Sequence, residues 1–422
     1  MTRNEKNKKD MLMKKIFALA AILALFSSLS FAVDLSLPDV KFYGEGSAQG
    51  FILNGESESI GATSGYFTLG AAISFENITA TLALGYQNYW GSYGIEGRHI
   101  SGGGDGYLNL IRVVEANVNI DKLFNVDGLS AKVGRQYYGD EDSMVVYLGI
   151  RRGNPLLMFI TSAAPGMISG PAGSVISSIE GASVYYEEGN IKANAVYAIG
   201  SSNNTGEDNM TIKGADFKYF NIADMNMFDF QAYLYNFENI DMGSGLKYYT
   251  ILGVKPVFKM DNLKASLEFA KNFGGDLIFS NEYFNTNFVK FDVSYDFKDL
   301  NLTPRLSYFA GGSDNGDPFI AFGNYVPSMI FGAELSAFMG YPGIQLWNIG
   351  ADYVYSKYTF GLDFFRFNQR DQADESMYEI DFIVKYAYAE NITINFGIGN
   401  AFDDFDDNLN LTMVTTGITY KF

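Results

Sequence analysis

The chain has no cysteine, a single histidine (His99) and, beyond residue 32, no uninterrupted apolar run long enough for a membrane helix. The missing cysteine excludes disulfides, thiolate metal sites, thiol nucleophiles and a lipid-modified N-terminal cysteine together. A lone histidine leaves a Ser-His hydrolase little to work with, and His99 falls in a long polar stretch that reads as a solvated surface loop. A bilayer-spanning helix needs about 20 apolar residues. Basic charge is scarce as well. Without residues 1–32, which carry six basic and two acidic side chains, 24 Lys and Arg face 46 Asp and Glu, a net charge of −22. Such a balance leaves no excess of cations to displace counterions from phosphates, so nucleic acid is not an expected partner.

What is present begins with an export signature. Arg3, Lys6, Lys8, Lys9, Lys14 and Lys15 precede an apolar stretch, Ile16 to Phe26, and Ser30-Phe31-Ala32 supplies small residues for a peptidase. The expectation is a cleaved signal peptide over 1–32 and one domain over 33–422. Aromatics make up 16% of the chain and 45 of its 422 residues are glycine, while overall hydropathy is near neutral. Apolar residues are therefore scattered among polar ones, as a wall with one greasy and one wet face requires.

The scatter has period two. Phe67, Leu69, Ala71, Ile73 and Phe75 alternate, and after Glu76-Asn77 so do Ile78, Ala80, Leu82, Leu84 and Tyr86. Leu263, Ala265, Leu267 and Phe269 enclose Lys264, Ser266 and Glu268; Val289 to Phe297 and Tyr378 to Tyr386 repeat the pattern around Lys290, Asp292, Asp381 and Lys385. Charges so regularly interleaved cannot sit in a dry sandwich core without partners, but they can face a watery lumen. Val414, Thr416, Ile418, Tyr420 and Phe422 alternate up to an aromatic C-terminal residue, which resembles the signal read by the barrel-assembly machinery of the bacterial outer membrane.

Short turns near 76, 189, 223, 261, 299, 357 and 390, with a looser one at 121–128, mark one end of an up-and-down barrel, taken as periplasmic. Between them the pattern predicts about 18 antiparallel strands, near 40–52, 66–75, 78–90, 108–120, 129–138, 179–187, 191–199, 211–220, 226–236, 246–259, 263–272, 287–297, 301–310, 345–356, 358–367, 377–389, 391–401 and 410–422. The apolar runs 144–150 and 329–338 would break the alternation of direction. They are assigned to long outer loops, 139–178 and 311–344, long enough to fold inward and narrow or plug a pore.

Three segments resemble the alginate-export family of outer-membrane porins: Val113 to Asp142, with Glu115-Ala116 and Gly134-Arg135-Gln136 before an acidic cluster; Ile179 to Ala198, with Glu180-Gly181; and Met377 to Phe402. The resemblance covers about 80 residues and implies an 18-stranded barrel for passive solute passage, with a strongly basic lumen in the exporters themselves. Alternation here assigns Lys41, Lys192, Lys218, Lys247, Lys255, Lys264, Lys290, Arg305 and Lys385 to the lumen, against Glu45, Glu115, Asp216, Asp229, Glu268, Asp292, Asp352, Asp363, Glu379 and Asp381. The signs nearly cancel.

Arg135 matches the family motif and could grip a carboxylate in bidentate fashion. It shares a face with Val133, so pore lining needs a bulge near Gly134; otherwise it is a rim ion pair with Asp140, Glu141 or Asp142. Gly102 to Gly106 reads as a flexible loop, since no helix start follows. Asp404, Asp406 and Asn408 have the first spacings of a calcium loop, but Leu409 replaces the needed glycine. Phe228, Phe230, Trp347, Tyr353, Tyr358, Phe360 and Phe364 fall on the lipid side as belt anchors, whereas Tyr233, Tyr235 and Tyr249 point inward and could stack on a solute.

The sequence thus predicts a weakly charge-selective outer-membrane porin passing small or linear hydrophilic solutes, carbohydrate among them, with no catalytic residues, cofactor or metal. Expected partners are outer-membrane lipid, lipopolysaccharide, the assembly machinery and the solute. The rival reading is a non-conducting surface protein or adhesin with a loop-plugged barrel. A TonB-dependent transporter is excluded by length, since 390 residues cannot supply a plug domain and 22 strands.

Overall fold

The computed structural model describes residues 39–55, 59–93, 111–141, 143–150, 178–200, 210–222, 227–238, 248–274, 284–312, 318–320, 323, 326–332, 340–369, 376–404 and 410–422. Residues 1–38, including the expected signal peptide, as well as His99, Gly102 to Gly106, Lys247, Asp406 and Asn408, lie outside these residues.

Alternation becomes a wall. In chain order the strands are β1 Asp39–Asn54, β2 Ser59–Phe75, β3 Ile78–Tyr93, β4 Arg112–Asp121, β5 Leu129–Gln136, β6 Ile179–Glu188, β7 Ile191–Gly200, β8 Met210–Tyr219, β9 Phe228–Glu238, β10 Tyr248–Met260, β11 Leu263–Gly274, β12 Phe284–Tyr295, β13 Leu302–Gly312, β14 Pro318–Ile320, β15 Gly340–Pro342, β16 Ile344–Tyr355, β17 Tyr358–Gln369, β18 Ser376–Ala389, β19 Ile392–Asp403 and β20 Asn410–Lys421. All but β14 and β15 form one 18-stranded antiparallel sheet in which each strand pairs with its neighbours in sequence. The sheet closes because β1 pairs with both β2 and β20. At the seam Gly44 and Phe422 exchange two backbone hydrogen bonds of 3.0 Å. Closure leaves the sheet without an edge strand, so along its paired stretch the wall satisfies its backbone groups without water, the condition for crossing hydrocarbon.

The two faces separate as the period requires. Phe42, Leu69, Val133, Leu234, Leu252, Leu362 and Phe382 stand exposed on the outside, and Glu45, Thr68, Asp216, Tyr233, Asp363 and Asp381, at alternate positions, are buried within. In water each outward Leu or Phe would forfeit roughly 1.5–3 kcal/mol of burial free energy, which a hydrocarbon surround restores. The outer surface therefore selects a lipid bilayer.

The strands fall where alternation predicts, with one notable extension. β2 starts at Ser59, before the apolar pattern does, because Ser59 to Gly65 continues the ladder along β1. Tight turns are set by single left-handed residues such as Glu76 (φ 52°), Asp261 (φ 49°) and Ser356 (φ 54°). The apolar runs 144–150 and 326–332 are not wall strands. Both lie inside the barrel.

Candidate pore

Inside, the outer half of the wall is apolar. Ile212, Phe237, Ile251, Phe288, Phe309 and Phe367 are essentially fully buried there. They need not meet water because the described parts of the two long loops pack against them. From the loop after β5 come Met144, Val145, Val146 and Leu148; from the loop after β13 come Met329, Ile330 and Phe331. Phe319 of the β14–β15 ribbon lies 5.0 Å from Phe288, ring to ring, and a side chain at Gly323 would collide with the Ser143–Met144 backbone. The two loops therefore touch each other across the lumen.

Apolar packing alone does not fix a loop's position; polar latches do. Glu379, on the inner face of β18, accepts hydrogen bonds from Ser328 Oγ (2.7 Å), Ile330 N–H (2.6 Å) and Phe331 N–H (2.9 Å). Asp381, two residues on, accepts from Met329 N–H at 2.9 Å. Met329 packs over Gly397 and Gly399 of β19, which have no side chain to block it. Four hydrogen bonds converge on this pair of neighbouring carboxyls, each worth about 0.5–1.5 kcal/mol, and together they fix the segment against the wall. On the opposite wall Tyr138 and Leu148 form a bridge, and the Tyr138 and Tyr235 hydroxyls meet at 3.2 Å. Tyr235 in turn donates to Asp216 at 3.0 Å, and Asp140 forms an ion pair with Lys218.

The periplasmic half of the interior is charged. Glu45 accepts from the Tyr66 hydroxyl at 2.6 Å with Lys421 4.0 Å away, and Glu115 accepts from the Tyr43 hydroxyl at 2.7 Å. Glu268, buried, takes the Tyr233 hydroxyl at 2.8 Å and Lys255 at 3.3 Å. Asp229 pairs with Lys259, and Lys290 with Asp292 at 3.1 Å. Arg305 is held by two carboxylates, Asp352 and Asp363, with Nε 3.2 Å from Asp363, which also receives Asn348 Nδ2 at 2.9 Å. Lys41 reaches Asp39 at 3.3 Å and Lys192 reaches Glu187 at 2.6 Å, while Lys264 and Lys385 stand exposed toward the turns. The side chain of Tyr249 is outside the described set.

Not all charges are matched. Lys192 lies directly across the strand pair from Lys218, and Lys259 directly across from Lys264. Like charges in opposed positions destabilise a sheet by a few tenths of a kcal/mol to about 1. Their carboxylate partners offset only part of this.

Arg135 is corrected by the structure. Gly134 has φ 117°, yet pairing runs without a shift from Ala116↔Arg135 through Val118↔Val133, so no extra residue enters and alternation is preserved. Arg135 therefore faces outward with Val133. It pairs with Glu180 and donates to Val113 O at 2.7 Å, while Asp142 of the acidic cluster lies outside the described residues. Asp404 likewise serves the wall, accepting from Ser376 N–H at 2.7 Å. Uncharged polar groups share the inner face: Gln136, Asn117 and Ser183 are buried inside, and Ser183 Oγ donates to Gln136 at 2.6 Å. Strict alternation on β4, β5 and β6 would have found them.

No protein-family model matches the chain, and no curated protein matches its sequence. Solved structures do match in shape. The chain is similar to Pseudomonas aeruginosa OccK2 (OpdF) in complex with glucuronate, at TM-score 0.61 and 11% identity, covering 91% of this chain and 98% of that one. OccK11 (OpdR) from the same organism gives TM-score 0.58 at 10% identity over 92% and 98%. The outer membrane protein OpdK, crystallised with vanillate, gives 0.59 at 10% identity over 90% and 98%. At such identities the likeness establishes a shared architecture, a closed 18-stranded barrel of the outer-membrane type.

Proposed function

We propose that this protein is a passive outer-membrane channel for small hydrophilic solutes, exported through the periplasm and weakly selective for charge. The observation that carries the reading is the inner wall of the periplasmic half: ionised groups on nearly every strand, facing the lumen of a closed barrel. Dry packing does not call for such a wall, but a solute path does. Two similar barrels were crystallised with glucuronate and vanillate, both small carboxylates. The opposed lysines of β7–β8 and β10–β11 offer matching chemistry, and the neighbouring carboxylates keep the preference mild. The narrower alginate-export reading rests on three short segments and implies a linear polyuronate; a nearly balanced lumen fits smaller cargo better. No catalytic chemistry is proposed.

A second reading has its own support. Leu148 and Ile330 are both 0% exposed, so the loops pack the outer half as a protein core would. On that reading the barrel is a plugged surface protein. Liposome swelling separates the two: reconstituted protein should admit glucuronate-sized solutes in proportion to its amount and exclude long polyuronates. Swelling no faster than in protein-free liposomes would favour the plug.

A further inference from the structure

The lipid-facing surface carries few cations, and their placement is lopsided. Among the described strands four side chains with a positive charge face outward: Arg135 on β5, Lys213 on β8, Lys271 on β11 and Arg366 on β17. Each shares its face with exposed apolar residues, such as Val133, Phe217, Phe269 and Phe364. Each lies within four residues of the strand end next to a long loop. None lies at the end next to the short turns. A charge facing hydrocarbon is costly, and one at the interface is retained only where something there receives it.

The four divide into two kinds. Arg135 is neutralised by outward Glu180, and Lys213 by outward Glu238 at 2.8 Å. Lys271 and Arg366 have no ion-pair carboxylate among the described residues. Lys271 is flanked across the strands by Leu252 and Asn287. Arg366 is exposed and lies opposite Trp347 and Tyr378. Its Nε and Nη2 share the Ser376 hydroxyl at 3.2 and 3.1 Å, which fixes the guanidinium plane, and among the described residues no carboxylate meets it. Asp404, the carboxylate nearest in this register, is taken up by Ser376 N–H and, at 3.5 Å, by the Tyr378 hydroxyl. Trp347 and Tyr378 form the amphipathic collar expected at a headgroup boundary.

We propose that the outer rim of the β11–β17 face is a binding site for a phosphorylated glycolipid of the outer leaflet, with Arg366 as the oriented phosphate contact and Lys271 as a second one. Four strand spacings separate the two cations, roughly 19 Å along the rim. The lipid's sugar-phosphate head spans toward both, and its acyl chains run down the apolar wall between them. An anion at the periplasmic end would find no such contacts. The placement therefore selects the leaflet as well as the chemistry.

The test uses full-length protein in detergent micelles, titrated with bisphosphorylated lipid A and read by native mass spectrometry. R366Q/K271Q is expected to lose about tenfold in affinity, equivalent to about 1.4 kcal/mol, while R135Q/K213Q stays within about twofold of wild type because those cations already have acid partners. Wild type should bind a phosphate-stripped glycolipid about as weakly as R366Q/K271Q binds the intact one. Should R366Q/K271Q not fold, R366K/K271R, which keeps both charges, should bind within about threefold of wild type, and the stripped lipid still tests the phosphate contact. The proposal is overturned if R366Q/K271Q binds like wild type, if both double variants weaken equally, if the stripped lipid binds as well as the intact one, or if phosphatidylglycerol binds as tightly as lipid A.

Discussion

The two halves of this barrel's interior solve different problems with the same alternating wall. In the outer half, inward positions are mostly Phe, Ile and Ala, with Glu379 and Asp381 as polar latches, and two loops fold in to cover them. In the periplasmic half, inward positions are Lys, Arg, Asp and Glu in cross-strand pairs. The wall strands run through both halves without interruption, so the backbone is not what differs. What differs is whether a loop or water faces the inner side chains. The lesson is that the bore is set in the outer half by loop placement and the charge field in the periplasmic half by the wall, and substitutions should separate them.

The largest expected effect comes from releasing a loop. In E379Q/D381N the backbone N–H groups of Met329, Ile330 and Phe331 lose their carboxyl acceptors, whose bonds are worth about 0.5–1.5 kcal/mol each, and the hydrogen bond between the two carboxyls is lost as well. Residues 326–332 should then leave the wall and single-channel conductance should rise at least about twofold. Unchanged conductance would mean that this loop does not set the bore. Next is the Arg305 clamp. D363A removes one of its two carboxylates and the nearer of Asn348's two acceptors, so urea unfolding in detergent should show a loss of about 3 kcal/mol with little change in conductance. A change confined to conductance would break the assignment of charge field and bore to different halves.

These separable halves were unequally legible in the sequence. Period-two alternation depends only on a two-sided wall, so β11, β12 and β18 could be read residue by residue, and the inward placement of Glu268, Lys290 and Asp381 followed from it. The loops could be located but not oriented. Runs 144–150 and 329–338 are apolar with no period, and only the carboxyls of Glu379 and Asp381, 51 and 52 residues away from Ser328 and Met329 in sequence, show where one of them docks. Arg135 failed for a subtler reason. A glycine at positive φ can admit a bulge, but the register on both sides of β5 shows that it need not.

Smaller effects sharpen the same contrast. K264Q removes one of two lysines opposed across β10 and β11 and should stabilise the pair by up to about 0.5 kcal/mol, while shifting the reversal potential toward cations. An unchanged reversal potential would show that this lysine does not contribute to the field of the pore. R135A should be the quietest. Facing outward in an exposed ion pair, it should change stability by about 1 kcal/mol or less and leave the reversal potential where it was; a selectivity change would return Arg135 to the pore.

The central claim, an open barrel whose charge preference is mild, is tested most directly by reversal potentials of single wild-type channels in planar bilayers across a potassium chloride gradient. The account predicts a steady open conductance with a weak preference that fades as salt is raised, because paired charges are screened over a Debye length of about 8 Å at physiological ionic strength. No conductance would contradict it in favour of the plugged barrel, and strong anion selectivity blocked by polyuronate would contradict it in favour of an alginate-type pore.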